Sequence, residues 1–292
     1  MNCKGKLLST EQPLVMGILN ITDNSFYDGG KYVKSADYLL QIEKMLAEGA
    51  DIIDIGCMAT NPQSQELSEK EELETVEKAL NQIVRKFPDA NFSIDTWRAS
   101  VAEMAVEMGV AIVNDISGGD FDAGMFPAIA RLQVPYIVTH TSAKPNVMQQ
   151  NTDYKDVVQD VFLHLSKKVE KLHLLGVNDV IIDVGFGFGK TIVQNYELLR
   201  HLHWFKTLKL PILAGLSRKS MLYKLLDISP EEALNATTAA NTTALLNGAN
   251  ILRVHDVKEA KEAVKIVSLV TSYELQEKNA RNDVFFYSHF TQ

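Results

Sequence analysis

The sequence predicts a (β/α)8 barrel, and three observations support this fold class. Eight short runs rich in aliphatic and β-branched residues occur along the 292 residues, and each precedes a segment with helical character. Strands that alternate with helices in this way form parallel sheets, and eight such units in fewer than 300 residues fit one closed barrel. The chain also lacks a linker, a low-complexity segment and an internal repeat. A doubly wound open sheet is the alternative arrangement of the same units.

The predicted elements alternate in chain order. Charged runs at 69–72 and 258–262 fall within helical patterns, so we interpret them as solvated helix faces rather than binding tails. The barrel domain is expected to span residues 1–278, followed by a C-terminal tail at 279–292. Strands are predicted at 15–21, 51–56, 91–96, 111–116, 136–141, 179–184, 211–216 and 251–254, and helices at 35–48, 68–87, 98–108, 153–175, 193–205 and 230–247.

Composition excludes several classes of protein. The net charge of −8, from 29 basic and 37 acidic residues, argues against a nucleic-acid partner. No run of 18 apolar residues occurs, so no membrane partner is expected. The two cysteines, Cys3 and Cys57, cannot build a disulfide framework, and Cys57 is interpreted as a small buried residue rather than a reactive thiol. Without a signal-peptide pattern, a cytoplasmic enzyme is expected.

A Gly-rich stretch, Asp-Val-Gly-Phe-Gly-Phe-Gly-Lys-Thr at 183–191, joins a predicted strand to a predicted helix. Glycine at alternate positions allows a sharp turn and close approach of a ligand. The stretch is not a phosphate-binding P-loop, because Val184 occupies the position of the first glycine. It is not a dinucleotide fingerprint either, because only Phe188 separates Gly187 from Gly189. These residues alone indicate either a ligand-binding loop or a plain strand-to-helix turn.

Polar residues stand at the end of every predicted strand. Barrel active sites form at the C-terminal strand ends, so these residues are predicted to share one rim. Asp95, Asp115 and Asp256 have a second interpretation as helix caps or turn formers. Together the residues predict a polar pocket with an anion site, strengthened by a helix that opens at 217–220. The strand-end set is Asn20, Thr22, Asp54, Asp95, Asn114, Asp115, His140, Asp183, Ser217, Arg218, Lys219, Arg253, His255 and Asp256.

Seven motifs then identify a family. They are Gly-Ile-Leu-Asn-Ile-Thr at 17–22, Ser-Phe-Tyr-Asp-Gly-Gly at 25–30, Ser-Ile-Asp-Thr at 93–96, Asn-Asp-Ile at 114–116, the Gly-rich stretch at 183–191, Ser-Arg-Lys-Ser at 217–220 and Arg-Val-His-Asp at 253–256. With these motifs in this order, the chain resembles the dihydropteroate synthases, enzymes of the folate pathway, over nearly its whole length. The resemblance implies transfer of a pterin from hydroxymethyl-dihydropterin pyrophosphate to p-aminobenzoate, with Mg²⁺ and release of pyrophosphate.

The resemblance also implies roles for single residues. The pterin is expected on Asp95, Asn114, Asp183, Phe188 and Lys219, and the pyrophosphate on Asn20, Arg253 and His255, with Asn20 also a metal ligand. Catalytic roles are expected for Asp28, Asp95 and Lys219. The acceptor p-aminobenzoate is expected on Phe26, Thr60, Pro62 and Ser220. A homodimer through the late barrel helices is implied as well.

The departures from the family pattern are confined to a few loops. Asn61 stands where the family has an arginine, and an amide cannot make the charge-assisted contacts of a guanidinium. Thr139 and Val184 replace a methionine and a proline, and the other changes are Asp23, Asn24, Met58 and Ser142. Two interpretations remain open at this point. One is a working synthase with drifted loops, in which Lys144 or another cation supplies the lost charge.

The other interpretation is a paralogue that binds a pterin but uses another acceptor or catalyses nothing. A third possibility is the pterin domain of a corrinoid-linked methyltransferase, which shares the barrel. The motifs at 217–220 and 253–256 are of the synthase type and disfavour that third possibility.

Overall fold

The computed structural model describes residues 1–21, 35–57 and 67–271, with side chains from residue 38 onward in the first helix. A short antiparallel hairpin of β1 (Asn2–Cys3) and β2 (Lys6–Leu7) precedes the barrel. Eight parallel strands then close in the order β10-β3-β4-β5-β6-β7-β8-β9, which confirms the barrel over the open sheet. They are β3 (Leu14–Asn20), β4 (Ile52–Gly56), β5 (Phe92–Asp95), β6 (Ile112–Asp115), β7 (Tyr136–Thr139), β8 (Val180–Asp183), β9 (Ile212–Ala214) and β10 (Ile251–Val254).

Helices pack around this barrel. The described helices are α1 (Ser35–Ala47), α2 (Glu69–Lys86), α3 (Ala99–Glu107), α4 (Met125–Leu132), α5 (Val157–Leu174), α6 (Ile192–Arg200), α7 (Ser220–Leu226), α8 (Leu234–Leu246) and α9 (Val257–Thr271). The predicted helix at 193–205 is divided, because α6 ends at Arg200 and a 3-10 turn follows at Leu202–Leu208. The sequence analysis missed the hairpin and α4, whose third residue is a proline.

Reciprocal side-chain caps fix where two of the helices begin. Ser68 accepts a hydrogen bond from the Glu71 amide, and the Glu71 carboxylate accepts one from the Ser68 amide. Thr191 and Gln194 form the same reciprocal pair at the start of α6. Such capping boxes satisfy donors that a helix leaves open at its first turn. The Thr191 cap therefore ends the Gly-rich stretch at a defined residue.

The two ends of the barrel differ in chemistry. At the N-terminal end, Cys3 of the hairpin is buried against Leu14, Met16 and Ile251, which closes the barrel with apolar side chains. At the C-terminal end five of the eight strands finish in polar residues. Trp97, Ile116, Met148 and Phe188 form a small apolar cluster beside them. The opening toward solvent thus lies at the polar rim, where barrel active sites form.

The prediction of a solvated helix face at 69–72 is wrong for one of its residues. Glu69, Lys70 and Glu71 are exposed, but Glu72 is fully buried. Its carboxylate accepts hydrogen bonds from the Thr96 hydroxyl at 2.7 Å and from the Arg98 guanidinium. A buried carboxylate is stable only with such partners, and local charge patterning could not reveal partners that lie on another βα unit.

No helix of the described ranges has the length and apolar composition needed to cross a membrane. The assignment of 1–278 to the barrel and 279–292 to a tail stays a prediction, because residues 272–292 lie outside the described part of the chain.

Candidate active site

The rim brings together most of the residues that the sequence singled out. Asn20, Asp95 and Asp183 are the last residues of β3, β5 and β8, and Asn114 is the penultimate residue of β6. Parallel strands of one barrel end at the same edge, so side chains far apart in sequence meet there. Arg253 lies on β10, His255 follows it, and Lys219 and Ser220 lie after β9 at the start of α7.

Arg253 is the centre of an ion-pair network across the barrel. Its Nε donates to Oδ2 of Asp54 at 2.6 Å, and its Nη2 donates to Oδ2 of Asp95 at 2.6 Å. The Asp54 side chain is fully buried and the Arg253 side chain is 19% exposed. Asp54 oxygen Oδ1 has no hydrogen-bond partner among the described residues. The network joins β4, β5 and β10 and leaves Nη1 of Arg253 without a bond to a described residue.

The same carboxylate orients Asn114. Nδ2 of Asn114 donates to Oδ2 of Asp54 at 2.9 Å. A carboxylate accepts and does not donate, so the amide nitrogen must face Asp54 and the amide oxygen must face away from it. Asn114 thus presents an acceptor to the rim.

Burial perturbs the acidity of Asp95. Burial raises the pKa of Asp95 to about 7, the Arg253 guanidinium opposes this shift, and the Asp54 carboxylate adds to it. For Arg253, burial lowers the pKa, but the carboxylates of Asp54 and Asp95 outweigh burial and raise it. The arginine therefore stays charged and is the group that favours the carboxylate form of Asp95.

Asp183 is held by the backbone of the Gly-rich stretch. Its Oδ1 accepts a hydrogen bond from the Gly185 amide at 2.8 Å. Burial raises the pKa of Asp183, while Lys219 and the Gly185 amide oppose the shift. Oδ2 of Asp183 has no hydrogen bond to a described residue and is not fully enclosed. The residue offers the rim one oriented carboxylate oxygen.

Lys219 lies against the Gly-rich stretch that holds Asp183. Its Nζ donates to the carbonyl of Phe186 and lies 4.3 Å from the centroid of the Phe188 ring. Burial lowers the pKa of Lys219 to about 8, and the Asp183 carboxylate opposes the shift. An ammonium above an aromatic face is stabilised by the ring quadrupole. Asp183, Phe188 and Lys219 therefore form one side of the pocket.

The glycines of this stretch are required by their backbone and their neighbours. Gly185 and Gly189 have φ of +69° and +59°, in the left-handed region that favours glycine. A Cβ on Gly185 would lie 1.9 Å from the His140 carbonyl oxygen, and one on Gly189 would lie 1.8 Å from the Ser142 hydroxyl. The loop after β7 thus packs directly on the Gly-rich stretch and leaves no room for a side chain at either position.

Ser217 orients the His255 ring at the rim. The Ser217 hydroxyl accepts the His255 backbone N–H at 3.2 Å and lies 2.9 Å from Nδ1 of the same residue. The hydroxyl hydrogen can then donate to Nδ1, which leaves Nε2 of the neutral ring as the N–H donor. The His255 residue is exposed, so that donor is available to an anion.

Arg218 does not face the anion site that the sequence predicted. Its Nε and Nη2 donate to the Asp256 carboxylate at 3.0 and 2.8 Å, and its Nη1 donates to the carbonyl of Glu231 at 2.9 Å. Its φ of +53° turns the chain before α7. Asp115 likewise serves the scaffold, because its carboxylate accepts from the amides of Ser117 and Gly119 and from the Tyr136 hydroxyl. For Asp115 the turn-forming interpretation describes the structure, whereas the Asp256 carboxylate is bound to Arg218.

The remaining predicted residues are either placed by their burial or lie outside the described part of the chain. Asn20 is exposed at the rim, and Ser220 is half-buried as the first residue of α7. Cys57 is buried, and burial raises the pKa of its thiol to about 12, which agrees with an unreactive side chain. The predicted site residues that lie outside the described part of the chain are Thr22, Phe26, Asp28, Thr60 and Pro62, together with the altered loop residues Asp23, Asn24, Met58 and Asn61.

The altered loop after β7 is described and is well packed. The Ser142 hydroxyl donates to the Met148 carbonyl at 3.3 Å, and Nζ of Lys144 lies 5.9 Å from the centroid of the Phe121 ring. Thr139 is buried, and its hydroxyl has no hydrogen-bond partner among the described residues.

Three residues that shape the pocket received no role from the sequence. Asp54 was grouped with the strand ends without a role, although it orients both Asn114 and Arg253. Lys190 was passed over inside the Gly-rich motif, although it is buried against that loop. Ile116, beside Phe188 in the apolar cluster, adds to the wall of the pocket. The signal for Asp54 was a carboxylate within an otherwise apolar strand, a pattern that requires a buried partner.

Comparison with known proteins places this geometry in a family. Residues 16–255 match a protein-family model described as pterin binding enzyme. A dihydropteroate synthase of Haemophilus influenzae is 39% identical over 263 residues, covering 89% of this chain and 95% of that protein. The crystal structure of the Yersinia pestis dihydropteroate synthase in a sulfonamide drug complex aligns with a TM-score of 0.87 and 36% identity, over 92% of this chain and 98% of that one.

A further solved structure carries a small aromatic acid. The Xanthomonas albilineans dihydropteroate synthase with 4-aminobenzoic acid aligns with a TM-score of 0.85 and 33% identity. The alignment covers 93% of this chain and 97% of that one. Fold, sequence and chain length all agree with these relatives across the barrel.

Proposed function

The chain belongs to the dihydropteroate synthase family, and we propose that it performs the family reaction with the residues that meet at the barrel rim. The substrates are a hydroxymethyl-dihydropterin pyrophosphate and p-aminobenzoate, and the products are dihydropteroate and pyrophosphate. The observation that carries the residue assignment is the convergence of two oriented acceptors, Asp183 Oδ2 and Asn114 Oδ1, with the cations Lys219 and Arg253.

The pterin is proposed to lie between Asp183 and Asn114. A pterin edge offers a ring N–H and an amino group, which a carboxylate oxygen accepts well. Phe188 gives the ring an apolar surface, and Lys219 supplies a donor opposite Asp183. The pocket thus offers both acceptors and a donor, which matches a ring that carries donors and acceptors side by side.

The pyrophosphate is proposed to lie toward Arg253 and His255. Nη1 of Arg253 and Nε2–H of His255 are donors that no described residue uses. Donors and cations that meet the leaving group favour its departure, because negative charge develops there in the transition state. Asn20 is exposed at the same rim.

Magnesium fits this rim as a partner of the pyrophosphate. No three His, Cys, Asp or Glu side chains among the described residues are grouped to hold a metal ion by themselves. Mg²⁺ commonly binds through one or two protein oxygens together with phosphate oxygens, and the Asn20 amide would supply such an oxygen. When bound, the ion would neutralise charge on the departing pyrophosphate.

The proposed chemistry is dissociative. The bond between the pterin methylene carbon and the pyrophosphate oxygen breaks, and the electron pair leaves with pyrophosphate. The cation that remains on the pterin is stabilised by the Asp95 carboxylate, whose charged form Arg253 favours. The arylamine nitrogen then forms the new C–N bond and loses its proton. Asp28, which lies outside the described residues, keeps the catalytic role that the resemblance implies.

The acceptor side is proposed to involve Ser220 together with Phe26, Thr60 and Pro62. The Xanthomonas relative with 4-aminobenzoic acid supports this class of acceptor. Purified full-length chain supplied with the pterin pyrophosphate, Mg²⁺ and p-aminobenzoate is expected to release pyrophosphate and dihydropteroate in equal amounts. Tight pterin binding without product would instead identify a binder without turnover.

The effect of the Asn61 departure can be measured in the same assay. If the loop has drifted in a working synthase, Asn61→Arg should raise kcat/KM for p-aminobenzoate, because one charge-assisted contact contributes about 1.5–3 kcal/mol. The added arginine is expected to act mainly in the closed, reacting complex, so its effect should appear in kcat/KM. An unchanged or lower kcat/KM with p-aminobenzoate at saturating pterin pyrophosphate would favour a pocket rebuilt for another acceptor.

We also propose a homodimer that uses the late barrel helices. Apolar side chains are exposed on α7, α8 and α9, namely Leu225, Leu226, Leu246, Ile266 and Val270. Exposed apolar side chains grouped on neighbouring helices are typical of protein interfaces. Sedimentation of the full chain at micromolar concentration is expected to give twice the mass of 32.5 kDa. A monomer mass at every concentration tested would exclude this assembly.

A further inference from the structure

Lys190 ends the Gly-rich loop, and its side chain points into the protein rather than to the rim. Its Nζ lies 2.8 Å from the Gly185 carbonyl, 2.9 Å from the Phe188 carbonyl and 3.0 Å from Nδ1 of His140. The residue is 4% exposed. We propose that Lys190 is a positioning residue that fixes loop 185–188 and thereby orients the groups that bind the pterin. This inference rests on the proposed function.

The environment of Nζ matches an ammonium donor. Three acceptors surround the nitrogen, and three N–H bonds are available only in the charged form. Burial lowers the pKa of His140 to about 2, so its ring is neutral and Nδ1 can accept. Burial also lowers the pKa of Lys190 to about 7, and the Asp183 carboxylate opposes the shift. Each proton of the ammonium therefore has one defined acceptor.

The loop fixed by Lys190 carries the pterin groups. The Gly185 amide donates to Asp183, so a shift of Gly185 would turn the carboxylate. The Phe186 carbonyl accepts from Lys219, and the Phe188 ring lies under the same ammonium. Lys190 donates to the carbonyls of Gly185 and Phe188, which stand on either side of Phe186 in the sequence. Its two bonds to the loop therefore constrain three proposed pterin contacts, namely Asp183, Phe188 and Lys219.

This geometry excludes a phosphate-binding role for Lys190. In a P-loop the lysine that follows the final glycine reaches the phosphates. Here the corresponding ammonium is buried and its donors are directed to two carbonyls and an imidazole of the chain itself. The glycines bend the backbone around the lysine instead of around an anion.

Other contacts hold the loop from outside. The Gly187 amide donates to Asn195, and the Gly187 carbonyl accepts from Gln149 at 2.8 Å. These bonds remain when Lys190 is replaced. Loss of the lysine should thus leave the loop attached at Gly187 but free to shift at Gly185 and Phe188, which predicts weaker pterin binding in a folded protein.

Lys190→Met removes the donors and keeps the apolar stem. We expect the KM for the pterin pyrophosphate and the Kd of hydroxymethyl pterin, measured by calorimetry, to rise at least about tenfold. The KM for p-aminobenzoate should stay within about twofold, because the three described bonds of the lysine go to the Gly-rich loop and to His140. Lys190→Gln keeps two N–H donors and should show an intermediate loss, which provides a second measurement if Lys190→Met fails to fold.

Lys168→Met is the matched control. Lys168 is also buried, and its Nζ donates to the carbonyls of Ser117 and Gly118 and pairs with Asp120 at 2.7 Å. Lys168 therefore fixes the loop that follows β6 rather than the Gly-rich loop. This variant should lose stability, seen as a lower Tm, without the selective loss of pterin affinity.

The possible results distinguish a failure of the positioning role from a failure of the proposed function. Folded Lys190 variants that bind hydroxymethyl pterin as tightly as wild type would overturn the positioning role alone. Equal losses for pterin and p-aminobenzoate, or equal losses in Lys168→Met, would show a general structural role and overturn it as well. If the wild-type chain itself bound no pterin, the proposed function would fall and this inference with it.

Discussion

Asp183→Asn should reduce pterin affinity more than any other isosteric change at the rim. Oδ1 of Asp183 accepts from the Gly185 amide, so an asparagine would place its carbonyl oxygen there. The amide nitrogen would then occupy the position of Oδ2 and present N–H donors to the N–H groups of the pterin. Each charged hydrogen bond lost is worth about 1.5–3 kcal/mol, so two bonds correspond to a loss of at least about a hundredfold.

Calorimetry with hydroxymethyl pterin measures this effect directly. Asp115→Asn is the matched control, because Asp115 is another buried carboxylate at a strand end whose hydrogen bonds are all internal. We expect Asp115→Asn to lower the Tm and to leave the affinity of the folded protein near that of wild type. Unchanged affinity in Asp183→Asn would remove Asp183 from the binding site.

Arg253→Ala should impair both the anion site and the ionisation of Asp95. The change leaves the buried carboxylates of Asp54 and Asp95 without their cation. Breaking such a buried pair by removing one partner typically costs about 3–5 kcal/mol of stability. The affinity for the pterin pyrophosphate should fall more than the affinity for the bare hydroxymethyl pterin, because only the former carries the anion.

The same variant should change the pH profile. The pKa of Asp95 is about 7 with Arg253 present, and the guanidinium acts to lower it. Removing the cation raises that pKa, so a smaller fraction of Asp95 is charged at neutral pH. The acid limb of kcat/KM for the pterin substrate, which reports the free enzyme, should therefore move to higher pH.

Arg218→Ala provides the comparison for Arg253. It removes a rim arginine that pairs with Asp256, away from Asp95, and should affect stability without moving the acid limb. Arg253→Lys keeps the charge but cannot bridge two carboxylates with a planar fork, so it should restore the pH profile better than the affinity. An acid limb that stays in place in Arg253→Ala would show that Asp95 is not the group that titrates there.

The barrel was predictable because its signals are local. Each strand such as β8 is a short apolar run, and a helix such as α2 shows a cap and a 3.6-residue apolar period in the sequence itself. The rule that strand ends form one rim then places residues as distant as Asp95 and Arg253 in a common pocket, and their observed ion pair confirms that proximity. The hairpin at β1 and β2 was missed because strands of two residues carry no periodic signal.

The sequence by itself determined the fold class, the family and the identity of the residues at the rim. Motif order and strand-end position are properties of the linear chain. It could not determine which polar residues face a substrate and which support the scaffold, since Arg218 and Arg253, or Asp115 and Asp183, look alike in sequence.

Only the tertiary structure separated these residues by their contacts, because a hydrogen bond depends on distance and direction between groups from different βα units. Arg218 is bound to Asp256, whereas Arg253 keeps Nη1 unused by any described residue. Asp54 orients Asn114 from a different strand. Lys190 turns inward because two loop carbonyls and the His140 ring, 50 residues away, provide the acceptors that a buried ammonium requires.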